Sequence, residues 1–125
     1  MPINNPGAAA LKSFRKSETR AMADVSGDVA YTGYGFKPSV LIITSCLGDA
    51  LSWAQIDINL DERCVYKKAD TKTFYSGNYS VMIMLSATSA QEAIIKSLDS
   101  DGFTLTWAKA GTPAGTGNFT VLALA

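Results

Sequence analysis

Acidic side chains are the residues of this sequence best suited to chemistry. Asp57, Asp61 and Glu62 lie close together in "DINLDE", and two carboxyl groups are enough to hydrolyse a glycosidic bond. Asp61 and Glu62, however, have the spacing of an ordinary turn before Arg63. The sequence contains no histidine, the usual general base at neutral pH. We therefore predict a protein that is not an enzyme and that needs no cofactor.

A second acidic pair lies in "LDSDG", where Asp99 and Asp101 precede Gly102. This spacing resembles the start of a calcium loop, but Ala110 occupies the position at which such a loop needs its distal acid. The Asp-Gly pair is instead typical of a tight hairpin turn. Cys46 and Cys64 have no metal or redox motif around them. We expect two buried thiols, with a disulfide between neighbouring strands as the alternative, and no metal site.

Aromatic side chains border the polar segment "KKADTKTFYSGNY". Aromatic residues on exposed loops provide a large contact area at small entropic cost. The sequence thus gives four candidate contacts for a receptor or a glycan: Tyr66, Phe74, Tyr75 and Tyr79. The alternative is that these side chains pack against the edge of a sheet or against a partner subunit.

The charge is balanced overall but not along the chain. Eleven basic and eleven acidic residues give a net charge of zero, so we expect no nucleic-acid partner and a tendency to self-associate. Residues 1–20 nevertheless carry a net charge of +3. We interpret residues 1–20 as an arm for assembly or attachment and 21–125 as a separate domain. The arm is either solvated or docked on an acidic neighbour, such as another copy of the chain, through Lys12, Arg15, Lys16 and Arg20.

The first residues lack the pattern of a secretory signal, so we expect synthesis in the cytoplasm. The longest apolar runs are Val40–Ile43 and Val81–Leu85. Both are far too short to cross a bilayer, and we expect no membrane insertion.

Short apolar segments separated by turn residues dominate the chain after residue 20. "SVLIITSC" is nearly all apolar, which predicts a strand buried on both faces. In "LSWAQIDINL" the alternation slips by one residue near Ala54 and Gln55, and we predict a β-bulge there. "SAQEAIIKSL" could form a helix capped by Ser89, but the "DSDG" turn that follows favours a strand. About eight such strands predict an all-β fold, an antiparallel β-sandwich or jelly roll.

Several of these segments together resemble a known group of proteins. "YTGYGFKPSVLIITS", "LSWAQI" and "SDGFTLTW" with "NFTVLALA" are similar to segments of small β-sandwich virion proteins of bacteriophages and prophages. The resemblance covers roughly residues 28–125. It implies a virion protein of the tail, its fibres or the head surface, usually a multimer and often a homotrimer. In this group the motif glycines and proline shape turns, and the aromatic residues fill the core.

Three functions follow from these observations. The first is a non-enzymatic virion structural protein of the tail-fibre or receptor-binding type, for which we expect other virion proteins and a host-surface glycan as partners. The second is a capsid decoration protein, bound to the major capsid protein by its N-terminal arm. The third is a free-standing, lectin-like glycan-binding module.

Overall fold

The computed structural model describes residues 10–125 of the chain. These residues form ten antiparallel strands and the loops between them. The strands are β1 (Ser13–Ala21), β2 (Gly27–Tyr31), β3 (Val40–Leu47), β4 (Ala50–Ile56), β5 (Glu62–Lys67), β6 (Phe74–Gly77), β7 (Val81–Ser86), β8 (Ser89–Asp99), β9 (Gly102–Ala110) and β10 (Thr116–Leu124). The all-β prediction is confirmed, and the segment "SAQEAIIKSL" is a strand. The prediction of about eight strands missed β1 and β6.

The strands form two sheets that pack face to face. The larger sheet has the order β1-β10-β3-β4-β5-β6, and the smaller has the order β2-β9-β8-β7. Alternate residues of each strand point between the sheets, and the most buried of them form the core. Phe103 and Trp107 are fully buried there, in agreement with the core role that the resemblance implies for aromatic residues. The β-sandwich prediction is confirmed.

The prediction of an extended arm is wrong for residues 13–20. These residues form β1, which pairs with β10 from Ser13 opposite Leu124 to Ala21 opposite Thr116. Without β1, the long strand β10 would expose a row of unpaired backbone groups at the edge of the sheet. The boundary predicted after residue 20 therefore falls inside a strand. Of the rest of the predicted arm, residues 10–12 lead into β1, and residues 1–9 lie outside the described residues.

Arg20, predicted to be a free basic residue of the arm, is buried between the sheets. Its guanidinium lies 4.7 Å from the centre of the Trp107 ring and donates a hydrogen bond of 2.8 Å to the carbonyl of Val25. The Trp107 indole in turn donates to the hydroxyl of Tyr31, at 2.9 Å. A cation over an aromatic face is attracted by the ring electrons. Arg20 thus connects the larger sheet to the smaller one.

The central strands β3 and β4 are buried on one face only. In β3, Leu41 and Ile43 point into the core, whereas Thr44 and Cys46 are exposed, so the prediction of two buried faces is wrong. β4 alternates regularly between buried and exposed positions, and its pairing shows no register shift. The predicted bulge is therefore absent from β4. Small residues occupy its first three inward positions, Ala50, Ser52 and Ala54, and the large side chains of Leu51 and Trp53 between them point outward.

Hydrogen bonds to Asp101 join two of the sequence motifs. Its carboxylate accepts hydrogen bonds from the backbone amides of Gly33, at 2.9 Å, and Gly35, at 2.7 Å. The amide of Tyr34 donates to the Asp101 carbonyl at 3.1 Å. These three bonds fix the loop between β2 and β3 against the predicted Asp-Gly turn between β8 and β9. The two bonds to the carboxylate, from Gly33 and Gly35, also hold the pKa of Asp101 below its ordinary value.

We predict that Gly102→Ala strongly destabilises the fold. A Cβ at this position, where φ is +155°, would lie 1.9 Å from the carbonyl oxygen of Tyr31. Relief of that clash has to displace backbone, which we expect to cost about 3 kcal/mol of unfolding free energy in urea denaturation. Gly48→Ala is the control, because φ is +58° there and no atom lies within 4 Å; its cost should be about 1 kcal/mol. Equal losses would contradict the steric explanation.

A second prediction compares two arginines of the same strand. Arg20→Ala should lower the free energy of unfolding by about 3 kcal/mol, because it leaves a cavity beside Trp107 and removes the partner of the Val25 carbonyl and of Asp24. Arg15→Ala, on the exposed face of β1, should change it by less than about 0.5 kcal/mol. Urea denaturation of both variants measures the difference. If the two variants were equally stable, Arg20 would not connect the sheets.

Candidate binding face of the six-stranded sheet

The outer face of the larger sheet carries two adjacent rows of side chains. The strand register aligns Thr120, Thr44, Trp53 and Val65 in one row, and Asn118, Cys46, Leu51, Lys67 and Phe74 in the next. These nine residues line a shallow groove of about 420 Å³, here called the Trp53 groove. Its residues come from the four consecutive strands β3 to β6 and from β10, which is far from them in the sequence.

The Trp53 groove is apolar on one side and polar on the other. Trp53 is 61% exposed and Phe74 63% exposed, and Leu51 and Val65 lie beside them. Hydroxyl and amide side chains from β3 and β10 form the opposite side. Contiguous exposed apolar side chains on a soluble domain typically mark a binding site. The groove is therefore the strongest candidate for a contact surface in the described part of the chain.

One positive charge lies in the Trp53 groove. Lys67 is the charged side chain among the described residues that line it. The neighbouring lysines are paired, Lys68 with Asp70 at 3.7 Å and Lys72 with Asp49 at 3.8 Å. No ion pair within residues 10–125 includes Lys67. The groove thus offers a cation that the described chain does not neutralise.

The four aromatic residues predicted as contacts lie on opposite faces of the sheet. Tyr66 and Tyr75 stack with ring centres 5.5 Å apart, and Tyr79 meets Tyr66 edge-on at 6.2 Å. These three lie on the face that carries the core, where burial raises the pKa of Tyr66 and the Glu92 carboxylate raises that of Tyr79. Phe74 alone lies on the outer face, in the Trp53 groove.

Trp53 was not among the residues predicted as contacts. The pattern that could have identified it is the alternation of small residues, Ala50, Ser52 and Ala54, with large ones. Small residues fit the inward positions of a strand packed closely against a second sheet. Trp53 and Leu51 then have to point outward.

The four basic residues predicted for the arm also lie in different surroundings. Lys16 donates a hydrogen bond to the carbonyl of Thr32 at 2.7 Å and pairs with Glu18 at 3.1 Å. Arg20 is buried, as described above. Lys12 and Arg15 are exposed, and their role in attachment remains a prediction.

The acidic residues considered for catalysis hold the fold together. Asp57 accepts hydrogen bonds from the amides of Asn59 and Asp61, at 2.8 and 3.1 Å, which stabilise the turn after β4. Glu62 accepts from the Ser80 hydroxyl at 2.5 Å and from the Ile95 amide at 2.9 Å, so it joins the two sheets. Burial raises the pKa of Glu62 above its ordinary value of 4.5.

The other groups considered for chemistry, Asp99 and the two cysteines, form no site either. Asp99 accepts hydrogen bonds from the hydroxyls of Ser97 and Thr104, both at 2.7 Å. Within residues 10–125, no three potential metal ligands cluster. Cys64 is buried, as predicted, but Cys46 is exposed, and the two are not joined in a disulfide. Residues 10–125 also contain no helix that is long and apolar enough to cross a membrane.

Comparisons with known proteins give one distant likeness. No protein-family model matches the chain, and no curated protein matches it. Among solved structures, it is similar to the tailspike protein of Acinetobacter phage vB_ApiP_P1, with 14% sequence identity and a TM-score of 0.40. The match covers 99% of this chain and 26% of the tailspike, so the chain spans about a quarter of that protein. A likeness this distant assigns no family, and the function has to be inferred from the chain's own residues.

The raised pKa of Glu62 predicts a specific dependence of stability on pH. Because the folded state favours the protonated carboxyl, the contribution of Glu62 to stability is greatest below pH 4.5 and is lost as the pH rises through the folded-state pKa. Glu62→Gln keeps an oxygen that accepts the same hydrogen bonds, and it should remove this slope. Urea denaturation at several values between about pH 4 and pH 7 measures how the free energy of unfolding depends on pH.

The control for this prediction is Asp61→Asn, which removes an exposed neighbouring carboxylate and should keep the wild-type slope. Asp28 and Asp101 have lowered pKa values, and their contributions are lost only at more acidic pH. An unchanged slope in Glu62→Gln would contradict the assignment to Glu62.

Proposed function

We propose that this chain is a non-enzymatic bacteriophage virion structural protein of the tail-fibre or receptor-binding type. The observation that carries the proposal is the Trp53 groove, where two large aromatic side chains are exposed on a paired and therefore rigid sheet. A site on strands is held more precisely than one on loops. Such a surface is suited to contact with another molecule, and in this proposal that molecule belongs to the host surface.

The sequence motifs support the same proposal. The "TG-x-G" and "SDG" segments, which resemble those of phage virion proteins, meet at Asp101 and determine a tight contact between loops. These contacts make the sandwich rigid, which suits a structural protein that presents a surface on a particle. We further propose assembly as a homotrimer, joined to other virion proteins, after synthesis in the cytoplasm of the bacterial host.

The capsid-decoration alternative is weakened by the structure of β1. That hypothesis needs a basic arm to bind an acidic shell, but Lys16 and Arg20 make contacts within the sandwich. Only Lys12 and Arg15 remain exposed among the four. The lectin-like alternative uses the same groove and differs in being independent of a virion.

The location of the protein is tested by immunogold electron microscopy of particles from the phage or prophage that encodes it. We expect gold on the tail or its fibres. Gold over the heads would contradict the tail assignment and favour the decoration protein. Particles without gold, from cells that make the protein, would contradict the virion assignment itself.

The contact surface is tested by competition for adsorption. Purified protein added to host cells should reduce the rate at which the phage adsorbs, because it occupies the same receptor. Trp53→Ala should lose this inhibition, since it removes the largest exposed side chain of the groove. Ile94→Ala, an exposed apolar residue on the other sheet, should inhibit like the wild type. Equal inhibition by both variants would show that the groove is not the contact.

A further inference from the structure

We propose that the Trp53 groove binds an acidic sugar, a pyranose ring with a carboxylate substituent, of the kind found in anionic cell-surface polysaccharides. This inference rests on the proposed function and deepens it, because it names the ligand class of the same groove. Three features carry it: an exposed aromatic platform, a row of neutral polar side chains and an unpaired lysine.

Trp53 supplies the platform. It lies in β4, paired with Thr44 on one side and Val65 on the other, so its backbone is already ordered before a ligand arrives. One face of a pyranose ring presents mainly C–H groups, and these pack on the flat face of an indole. Little conformational entropy is lost when a rigid aromatic side chain is covered. Phe74, at the far end of the groove, extends the apolar contact.

Neutral polar groups face the platform across the groove. Thr44, Thr120 and Asn118 bring two hydroxyls and an amide from β3 and β10. A sugar ring carries hydroxyl groups around its edge, and each can both donate and accept a hydrogen bond. The groove therefore matches the two chemical sides of a sugar. Its volume of about 420 Å³ lies within the range of about 300–1,000 Å³ typical of small-ligand sites.

Lys67 determines the sign of the ligand's charge. It lies beside Leu51 and Phe74 in the strand register, and no carboxylate is among the residues that line the groove. An ammonium group forms its strongest hydrogen bonds with anionic oxygens. A neutral sugar would leave Lys67 without a partner, whereas an inorganic anion would leave Trp53 uncovered. A sugar with a carboxylate satisfies both.

Cys46 makes the proposal measurable on the unlabelled protein. Its thiol is exposed within the groove, whereas Cys64 is buried and serves as the internal control. The probes are the methyl glycosides of glucuronic and galacturonic acid, with those of glucose and galactose as neutral counterparts. We expect at least one uronide to slow the alkylation of Cys46 in a saturable manner. Its neutral counterpart should bind about fivefold more weakly or worse.

Substitutions at Lys67 and Trp53 measure separately what the charge and the aromatic platform contribute to binding. Lys67→Gln should abolish the preference for the uronide, whereas Lys37→Gln, an exposed lysine elsewhere, should keep it. Trp53→Ala should weaken binding of the uronide by about tenfold, and Ile94→Ala should not. Added salt should weaken the binding of the uronide and leave the binding of the neutral sugar unchanged. Thermal unfolding monitored by circular dichroism verifies that each variant is folded.

Several results would overturn the inference. Equal binding of acidic and neutral sugars, unaffected by Lys67→Gln, would contradict the proposal that the ligand is acidic. Failure of all four glycosides to protect Cys46 would contradict the proposal that the ligand is a sugar. Protection of Cys46 that rises with protein concentration alone, together with a larger mass in ultracentrifugation, would make the groove an interface between copies of the chain.

The test is independent of the virion assignment. It uses purified protein, so a failure to bind sugar leaves gold on the phage tail as support for the proposed function. Conversely, uronide binding by a protein that is absent from particles would overturn the virion assignment and leave the sugar site intact.

Discussion

The contact between Arg20 and Trp107 holds the two sheets in their present alignment. A guanidinium removed from water needs compensation, and Arg20 receives it from an aromatic ring and the carbonyl of Val25. Gln91, on β8, donates to the carbonyls of Met22 and Asp24 and so fixes the turn that follows β1. The register of β1, the path into β2 and the position of β9 therefore depend on one another.

This dependence explains why the role of residues 13–20 could not be predicted from sequence. Charge counting treats Arg15 and Arg20 alike, although one is exposed and the other is buried. Lys16, Glu18 and Arg20 are the less exposed positions of β1, whereas Ser17 and Thr19 between them are exposed, the reverse of the usual pattern. The buried position of Arg20 depends on Trp107, which is far away in the sequence, as well as on Asp24 and the carbonyl of Val25, which follow β1. The β8–β9 hairpin was predictable because its signals, an Asp-Gly turn and strict alternation, are local.

The Trp53 groove was hidden from sequence reasoning for a related reason. Apolar residues on both faces of β4 looked like a shift in phase, because a single sequence does not show which face a second sheet will cover. The strand order β10-β3-β4-β5 decides that Thr120, Thr44 and Trp53 become neighbours. Phe74, which was predicted as a contact, is exposed in the groove. Its partners, however, could not be named without the topology.

The contacts that stabilise the fold are separate from the residues of the Trp53 groove. Glu62, Arg20 and Asp101 constrain the frame through contacts between sheets and between loops, and none of them lines the Trp53 groove. The outer side chains are thus free to suit a ligand without disturbing the core. A shallow groove with one lysine holds a single sugar only weakly, since much of the ligand stays in water. Firm attachment then requires several grooves presented together, because linked sites raise the effective concentration of the next contact. The proposed sugar site and the proposed multimer therefore need each other: a repeating polysaccharide offers many equal units, and a multimer of rigid sandwiches can bind several of them at once.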